Sequence, residues 1–176
     1  MMEDLELADS ENETMDNVNS IEKTKMNKSR NVFIVHGHDE AKRTAVEAFV
    51  RSIGYNPIIL FKEPNKGQTI IEKIESNAED ICYAIVIYTS CDLGKDKAKK
   101  KLAPRARHNV VFEHGYMCAK LGRNHVVALL ELGVEQPGDL SGVVYINYDA
   151  EGAWQIKIAR EMQAIGLELD MNKIKL

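Results

Sequence analysis

The stretch 81-ICYAIVIYTS-90 decides the fold class, because eight apolar or aromatic residues follow one another before two small polar residues end the run. A strand of this composition is buried on both faces, as in a parallel sheet that helices cover on each side. This stretch is therefore predicted to be the third strand along the chain, and it is the least ambiguous of the predicted strands.

Four further short apolar runs lie around this strand, and stretches with helical periodicity separate them. The other predicted strands are NVFIVHG (31–37), NPIILF (56–61), HVVALLE (125–131) and GVVYINY (142–148). The predicted helices cover 39–54, 69–80, 105–122 and 153–166, with Asp39 as the first N-cap. The alternation predicts an α/β fold, a doubly wound parallel sheet of five strands.

The first 30 residues differ in composition from the rest of the chain. They hold eight acidic and four basic side chains and few large apolar groups, which predicts a disordered acidic tail or linker. Residues 31–176, the predicted folded domain, hold nineteen acidic and nineteen basic side chains. A neutral domain argues against nucleic acid as the main partner, because phosphate binding needs a cationic excess.

Membrane, metal and secretory signals are all weak in this sequence. Cys82, Cys91 and Cys118 have no short metal-ligand spacing, and no apolar run approaches the roughly 20 residues of a membrane span. The N-terminus lacks the apolar segment of a secretory signal. We therefore expect a cytoplasmic protein with no metal site and no membrane partner.

A carboxylate stands in the middle of the stretch RARHNVVFEHGYMCAKLG, residues 105–122, which is otherwise mostly apolar or small. One arc of the predicted helix carries Arg105, Asn109, Phe112, Glu113, Tyr116 and Lys120. In a functional interpretation Glu113 lies at the floor of a cleft and is partly desolvated by aromatic neighbours. In a structural interpretation Glu113 pairs with Lys120 or with a backbone donor.

Ligands of doubly wound sheets bind beyond the carboxyl ends of the strands, near the point where the strand order reverses. The segment HGHDE (36–40) lies at such an end. It either lines a pocket or forms an ordinary turn capped by Asp39. The segment FKEPNKGQ (61–68) is either a mobile lid or a plain surface loop.

The segment 95–107, KDKAKKKLAPRAR, carries seven basic groups. A solvated loop explains the lysines, whereas Arg105 and Arg107 at a helix start suit a phosphate. A diphosphate at the helix start, a nucleoside on the strand-end loops and a carboxylate facing the sugar would together suit N-glycosidic cleavage.

The order of VFIVHGHDE, RARHNVVFEHGYMCAKLGR, AWQIKIARE and LDMNK along the chain resembles the bacterial TIR-like nucleotide-binding family. That family includes the TIR domains of antiphage cyclic-nucleotide signalling effectors, and the likeness covers residues 31–176. The resemblance implies a flavodoxin-like fold and NAD⁺ glycohydrolase activity, with NAD⁺ as substrate and no separate cofactor. The catalytic role then falls on Glu113, in the context N-V-V-F-E-H-G.

The resemblance also implies roles for other residues and for self-association. The expected substrate-binding residues are His36, Gly37, His38, Phe61, Lys62, Gly67, Arg105 and Asn109. A homo-oligomer through TIR–TIR contacts is expected. The chain departs from the pattern of its relatives at residues 89–92, Thr-Ser-Cys-Asp, and at His108. The tail of about 30 residues is also too short to be the fused sensor domain of known effectors.

Two other functions remain open at this stage. A nucleoside deoxyribosyltransferase-like enzyme shares the architecture and a catalytic glutamate, although Arg105 and Arg107 favour a phosphorylated substrate. A non-catalytic nucleotide-binding or scaffolding TIR module would bind without turnover, because a fold does not determine a function.

Overall fold

A parallel sheet of five strands lies at the centre of the computed structural model, which describes residues 29–59, 72, 80–95, 97–98, 100–136 and 142–174. Its strands are β1 (Asn31–Val35), β2 (Asn56–Ile58), β3 (Ile81–Tyr88), β6 (Val126–Leu130) and β7 (Val144–Asn147), in the order β2-β1-β3-β6-β7. This is the flavodoxin-like order, which reverses direction between β1 and β3. The predicted doubly wound, five-stranded parallel sheet is confirmed.

In the part of the chain that the structure describes, three α-helices cover the sheet: α1 (Glu40–Ser52), α2 (His108–Leu121) and α3 (Ala153–Ala164). Two 3₁₀ turns are also described, Arg123–His125 and Met171–Lys173. The carboxylate of Asp39 accepts a hydrogen bond of 2.9 Å from the backbone N–H of Lys42, so the predicted N-cap of the first helix is confirmed.

Every residue of β3 is buried, as the apolar run predicted. Alternate strand residues face opposite sides of the sheet, which gives the domain two hydrophobic layers. Ile85 and Ile87 pack in the layer that contains Phe49 of α1 and Trp154 of α3. The opposite layer consists of the other strand faces and the buried side of α2, including Val110. The helix that carries Glu113 therefore lies alone among the three described helices on its side.

The start of the third predicted helix was wrong. The helix begins at His108, and Ala103–Arg105 form β5, which pairs antiparallel with β4 (Asp92–Gly94). Tertiary contacts stabilise the extended backbone, because the carbonyl oxygen of Pro104 accepts a hydrogen bond from Glu135 N–H at 2.9 Å. Arg105 therefore does not belong to the helical arc on which the sequence placed it.

Several predictions fall on residues outside the described ranges. They are the acidic tail up to residue 28, the end of NPIILF, the FKEPNKGQ loop with Phe61, Lys62 and Gly67, and most of the helix 69–80. Among the described residues, no helix has the length and apolar character needed to cross a membrane.

Candidate functional site

Glu113 lies in the second turn of α2, between the buried and the exposed sides of the helix. Val110 and Met117 face the core, whereas Phe112 is 54% exposed and Glu113 is half-buried. Within the described part of the chain, no hydrogen bond or ion pair reaches the Glu113 carboxylate. The pair with Lys120 that a purely structural role would use is therefore not formed.

Burial raises the pKa of Glu113 from 4.5 to about 7. The cause is desolvation, which disfavours the ionised form when no partner compensates for the lost water. An ionised carboxylate in such surroundings interacts strongly with any cation that enters, because the local dielectric constant is low. Shifted pKa values of this kind are concentrated at functional sites, although structural networks also produce them.

The loop after β1 contains the three predicted residues His36, Gly37 and His38. A Cβ atom added at Gly37 would lie 2.5 Å from the Sγ atom of Cys91, so the contact leaves no room for a side chain. The backbone N–H of His38 donates to the same sulfur at 3.3 Å. The Nδ1 atom of His36 donates to the carbonyl oxygen of Gly37 at 2.7 Å. The loop is thus packed closely on the segment that follows β3.

Arg107 connects this loop to α2. It is the N-cap residue of α2, and its Nη1 atom lies 2.6 Å from Nε2 of His38, to which it donates. His38 and the start of the helix that carries Glu113 are therefore brought together. The role of Arg107 in holding the loop was not predicted, because nothing in the sequence pairs residues 69 positions apart.

Arg105 and Asn109 have different surroundings. Asn109 is exposed one turn before Glu113, on the same side of α2. Arg105 forms an ion pair with Glu135 and lines a cleft of about 310 Å³ together with Leu93, His108 and Val111. Val111 and Glu113 are two residues apart and hence point to opposite sides of the helix. The structure therefore separates Arg105 from Glu113.

His114, the residue after Glu113, belongs to the core. It is fully buried, and its Nδ1 atom lies 2.7 Å from the hydroxyl oxygen of Tyr88. Burial lowers the pKa of His114 to about 4, so this imidazole is neutral at physiological pH. The side chain fills space between α2 and β3 and does not reach the Glu113 side.

Sequence reasoning also missed an ionic cluster at the carboxyl ends of the strands. Lys42 Nζ lies 2.6 Å from Asp39 Oδ2 and 2.9 Å from Glu131 Oε1, and Glu131 Oε2 accepts the backbone N–H of Ser90 at 2.8 Å. The position of Glu131 directly after an apolar strand was the signal that could have indicated it. Within the described residues, no group of three or more His, Cys, Asp or Glu side chains has the geometry to hold a metal ion.

The domain has a flavodoxin-like sheet, a desolvated glutamate on the helix after β3, and a contact between the start of that helix and the loop after β1. This combination defines a TIR-type α/β domain. The family model for the TIR domain of CAP12/Pycsar effector proteins matches residues 31–150. The chain belongs to this family, and the resemblance found in the sequence is confirmed.

Two relatives are similar over most of the folded part. The chain is 41% identical over 145 residues to the uncharacterized protein YuaY of Escherichia coli (strain K12), covering 82% of this chain and 48% of YuaY. It is 40% identical over 130 residues to protein tirC of Dictyostelium discoideum, covering 66% of this chain and 63% of tirC. The chain thus spans about half to two thirds of the length of these relatives.

Proposed function

We propose that this TIR domain cleaves the bond between nicotinamide and ribose in NAD⁺, acting in antiphage defence or nucleotide signalling. The observation that carries the proposal is the Glu113 carboxylate, which is half-buried, has no partner among the described residues and has a pKa raised to about 7. Family membership gives the proposal its reaction class. No cofactor is proposed, since NAD⁺ is the substrate.

The chemistry suits a single carboxylate. The pyridinium nitrogen of NAD⁺ carries a positive charge, so when the C1′–N bond breaks the bonding electrons move to nitrogen and nicotinamide leaves as a neutral base. The positive charge passes to the ribose as an oxocarbenium ion, which ionised Glu113 stabilises at close range. Water then adds to C1′ and releases a proton, giving ADP-ribose.

The substrate-binding part of the proposal is centred on the β1 loop and the exposed side of α2. His36, Gly37 and His38 would border the nicotinamide end, and Asn109 would contact a ribose hydroxyl. Because Arg105 is paired with Glu135 on the other side of α2, we assign phosphate binding to Arg107. Phe61, Lys62 and Gly67 retain their proposed place in the second loop.

The decisive experiment is incubation of concentrated purified protein with NAD⁺, with free nicotinamide followed by chromatography. Wild-type protein should release nicotinamide, and Glu113→Gln should not. Glu135→Gln is the matched control, because it removes a carboxylate close to α2 on the other side and should retain turnover. Equal release by wild type and Glu113→Gln would exclude the proposed role of Glu113. Release from deoxynucleosides alone would favour the deoxyribosyltransferase-like alternative.

Self-association through TIR–TIR contacts is part of the proposal. Specific activity should then rise with protein concentration, and light scattering should detect the assembly over the same range. Binding of NAD⁺ without turnover at every concentration would instead support a non-catalytic module.

A further inference from the structure

The ionic cluster of Lys42, Asp39 and Glu131 lies on the α1 side of the sheet, away from Glu113. Its side chains are only 19%, 28% and 30% exposed, although charged side chains are usually well exposed to solvent. Exposed ion pairs contribute little to the stability of the folded protein. Partly desolvated charged groups that each form several hydrogen bonds hold their partners more firmly. The cluster therefore needs an explanation beyond surface solvation.

Glu131 uses its two carboxylate oxygens for different partners. Oε1 accepts from Lys42, which belongs to α1, and Oε2 accepts the backbone N–H of Ser90, which follows β3. The Ser90 bond is the largest cause of the lowered pKa of Glu131, and Lys42 adds to it. Burial alone would lower the pKa of Lys42, but its bonds to Asp39 and Glu131 outweigh burial and raise it. Both groups therefore remain charged.

The contacts continue from Ser90 to the β1 loop. Cys91 follows Ser90 in a tight turn, in which its backbone N–H donates to the carbonyl oxygen of Thr89 at 2.8 Å. The Sγ atom of Cys91 lies 3.1 Å from Oγ1 of Thr89 and accepts the backbone N–H of His38 at 3.3 Å. This sulfur also occupies the space into which a Gly37 side chain would project. A displaced turn would thus move the β1 loop.

We propose that Glu131, held in place by Lys42, is a positioning residue that fixes the Thr89–Cys91 turn against Gly37 and His38. The shape of the substrate-facing loop after β1 then depends on a carboxylate from the opposite side of the sheet. The effect on catalysis rests on the proposed NAD⁺ cleavage, whereas the effect on the turn does not.

The test compares Glu131→Ala and Glu131→Gln with Glu47→Gln. Glu47 is the matched control, because its carboxylate is also paired with cations of α1, Arg43 and Arg51, and it lies more than one helical turn beyond Lys42 on α1. Thermal denaturation establishes that each variant is folded. The rate at which iodoacetamide alkylates each cysteine is then measured by peptide mapping with mass spectrometry.

The first readout requires no enzymatic activity. Loss of a charge-assisted hydrogen bond should make Cys91 react about tenfold faster in Glu131→Ala, with Cys118 unchanged as an internal reference. Glu131→Gln should restore most of the protection, since its amide oxygen can accept from Ser90, and Glu47→Gln should match wild type. An unchanged Cys91 rate in Glu131→Ala overturns the proposal, whatever happens to NAD⁺.

The second readout is kinetic. Glu131→Ala should raise KM for NAD⁺ about tenfold with a smaller change in kcat, and Glu131→Gln should lie near wild type. A faster Cys91 reaction combined with an unchanged KM would overturn the link between the turn and the substrate. If wild type releases no nicotinamide, the proposed function fails by itself, and the alkylation rates still decide whether Glu131 fixes the turn.

Discussion

The guanidinium of Arg107 donates a hydrogen bond of 2.6 Å to Nε2 of His38. This contact links the loop after β1 to the N-cap of the helix that carries Glu113. The two sides of the proposed cleft are therefore held together by side chains 69 residues apart. Arg105, for which the sequence favoured a substrate-binding role, instead pairs with Glu135.

Replacing Arg107 should weaken substrate binding. We expect Arg107→Ala to raise KM for NAD⁺ about tenfold with a smaller effect on kcat, because it removes a charged donor near the diphosphate and the contact with His38. Arg105→Ala is the control, since Arg105 pairs with Glu135 in a separate cleft. Initial rates over a range of NAD⁺ concentrations measure both. A larger defect in Arg105→Ala would restore the original assignment of phosphate binding to Arg105.

The rate of NAD⁺ cleavage should depend on the ionisation of Glu113. Burial raises the pKa of Glu113 to about 7, and only the ionised carboxylate stabilises the oxocarbenium ion. We therefore expect kcat to rise with pH through neutral pH and to level off about one pH unit above the pKa of Glu113. Glu113→Gln should lower kcat by about 10³ on the alkaline plateau, and the difference should shrink at lower pH, where Glu113 of the wild type is itself protonated. A wild-type rate that is already constant from pH 5 would contradict this role.

The same residue should destabilise the folded domain at neutral pH. A carboxyl group with a folded pKa above its unfolded value binds more protons in the folded state, so its contribution falls as pH rises from 4.5 to about 7 and remains unfavourable above that. Glu113→Gln should therefore increase the free energy of unfolding at pH 8 by on the order of 2 kcal/mol more than at pH 5. Urea denaturation at both pH values measures the difference.

His114 titrates over part of the same pH range but in the opposite sense. Its pKa is lowered to about 4 by burial, so its contribution to stability is lost as pH falls from 6.5 toward 4. Because His114 is present in wild type and variant alike, the comparison between the two isolates Glu113. If Glu113→Gln increases the free energy of unfolding by the same amount at pH 5 and at pH 8, the pKa of Glu113 is not raised.

A methyl group at Gly37 should disturb the β1 loop. Since its Cβ would lie 2.5 Å from Cys91 Sγ, we expect Gly37→Ala to lower the free energy of unfolding by about 1–2 kcal/mol. Gly115→Ala on α2 is the control. No atom outside the helix backbone lies within 4 Å of its added Cβ, so helix propensity should make that change stabilising by about 0.5–1 kcal/mol. Thermal or urea unfolding of the two variants measures both effects.

A second change separates the contact from other effects of alanine at position 37. In the Cys91→Ala background the sulfur is gone, so Gly37→Ala should cost much less than in wild type. An equal cost in both backgrounds would show that the sulfur contact is not the cause.

The arrangement of strands was predictable from the sequence because each apolar run is local information. The run 81–90 can only be buried on both faces, and the covering helices then impose a parallel sheet. The carboxylate in N-V-V-F-E-H-G also stood out as Glu113, because a charge in an apolar stretch is recognisable without coordinates.

Contacts between segments that are distant in the sequence could not be predicted in this way. The helix boundary at His108 depends on the pairing of β4 with β5. Lys42 and Glu131 form an ion pair although they are 89 residues apart in the sequence. The sequence by itself thus determined the five strands of the parallel sheet and the candidate acid, but not the strands 92–94 and 103–105 or the start of the helix that carries Glu113. Only the tertiary structure decided that Arg107 contacts His38 and that Arg105 pairs with Glu135, because hydrogen bonds between side chains depend on distances that folding alone sets.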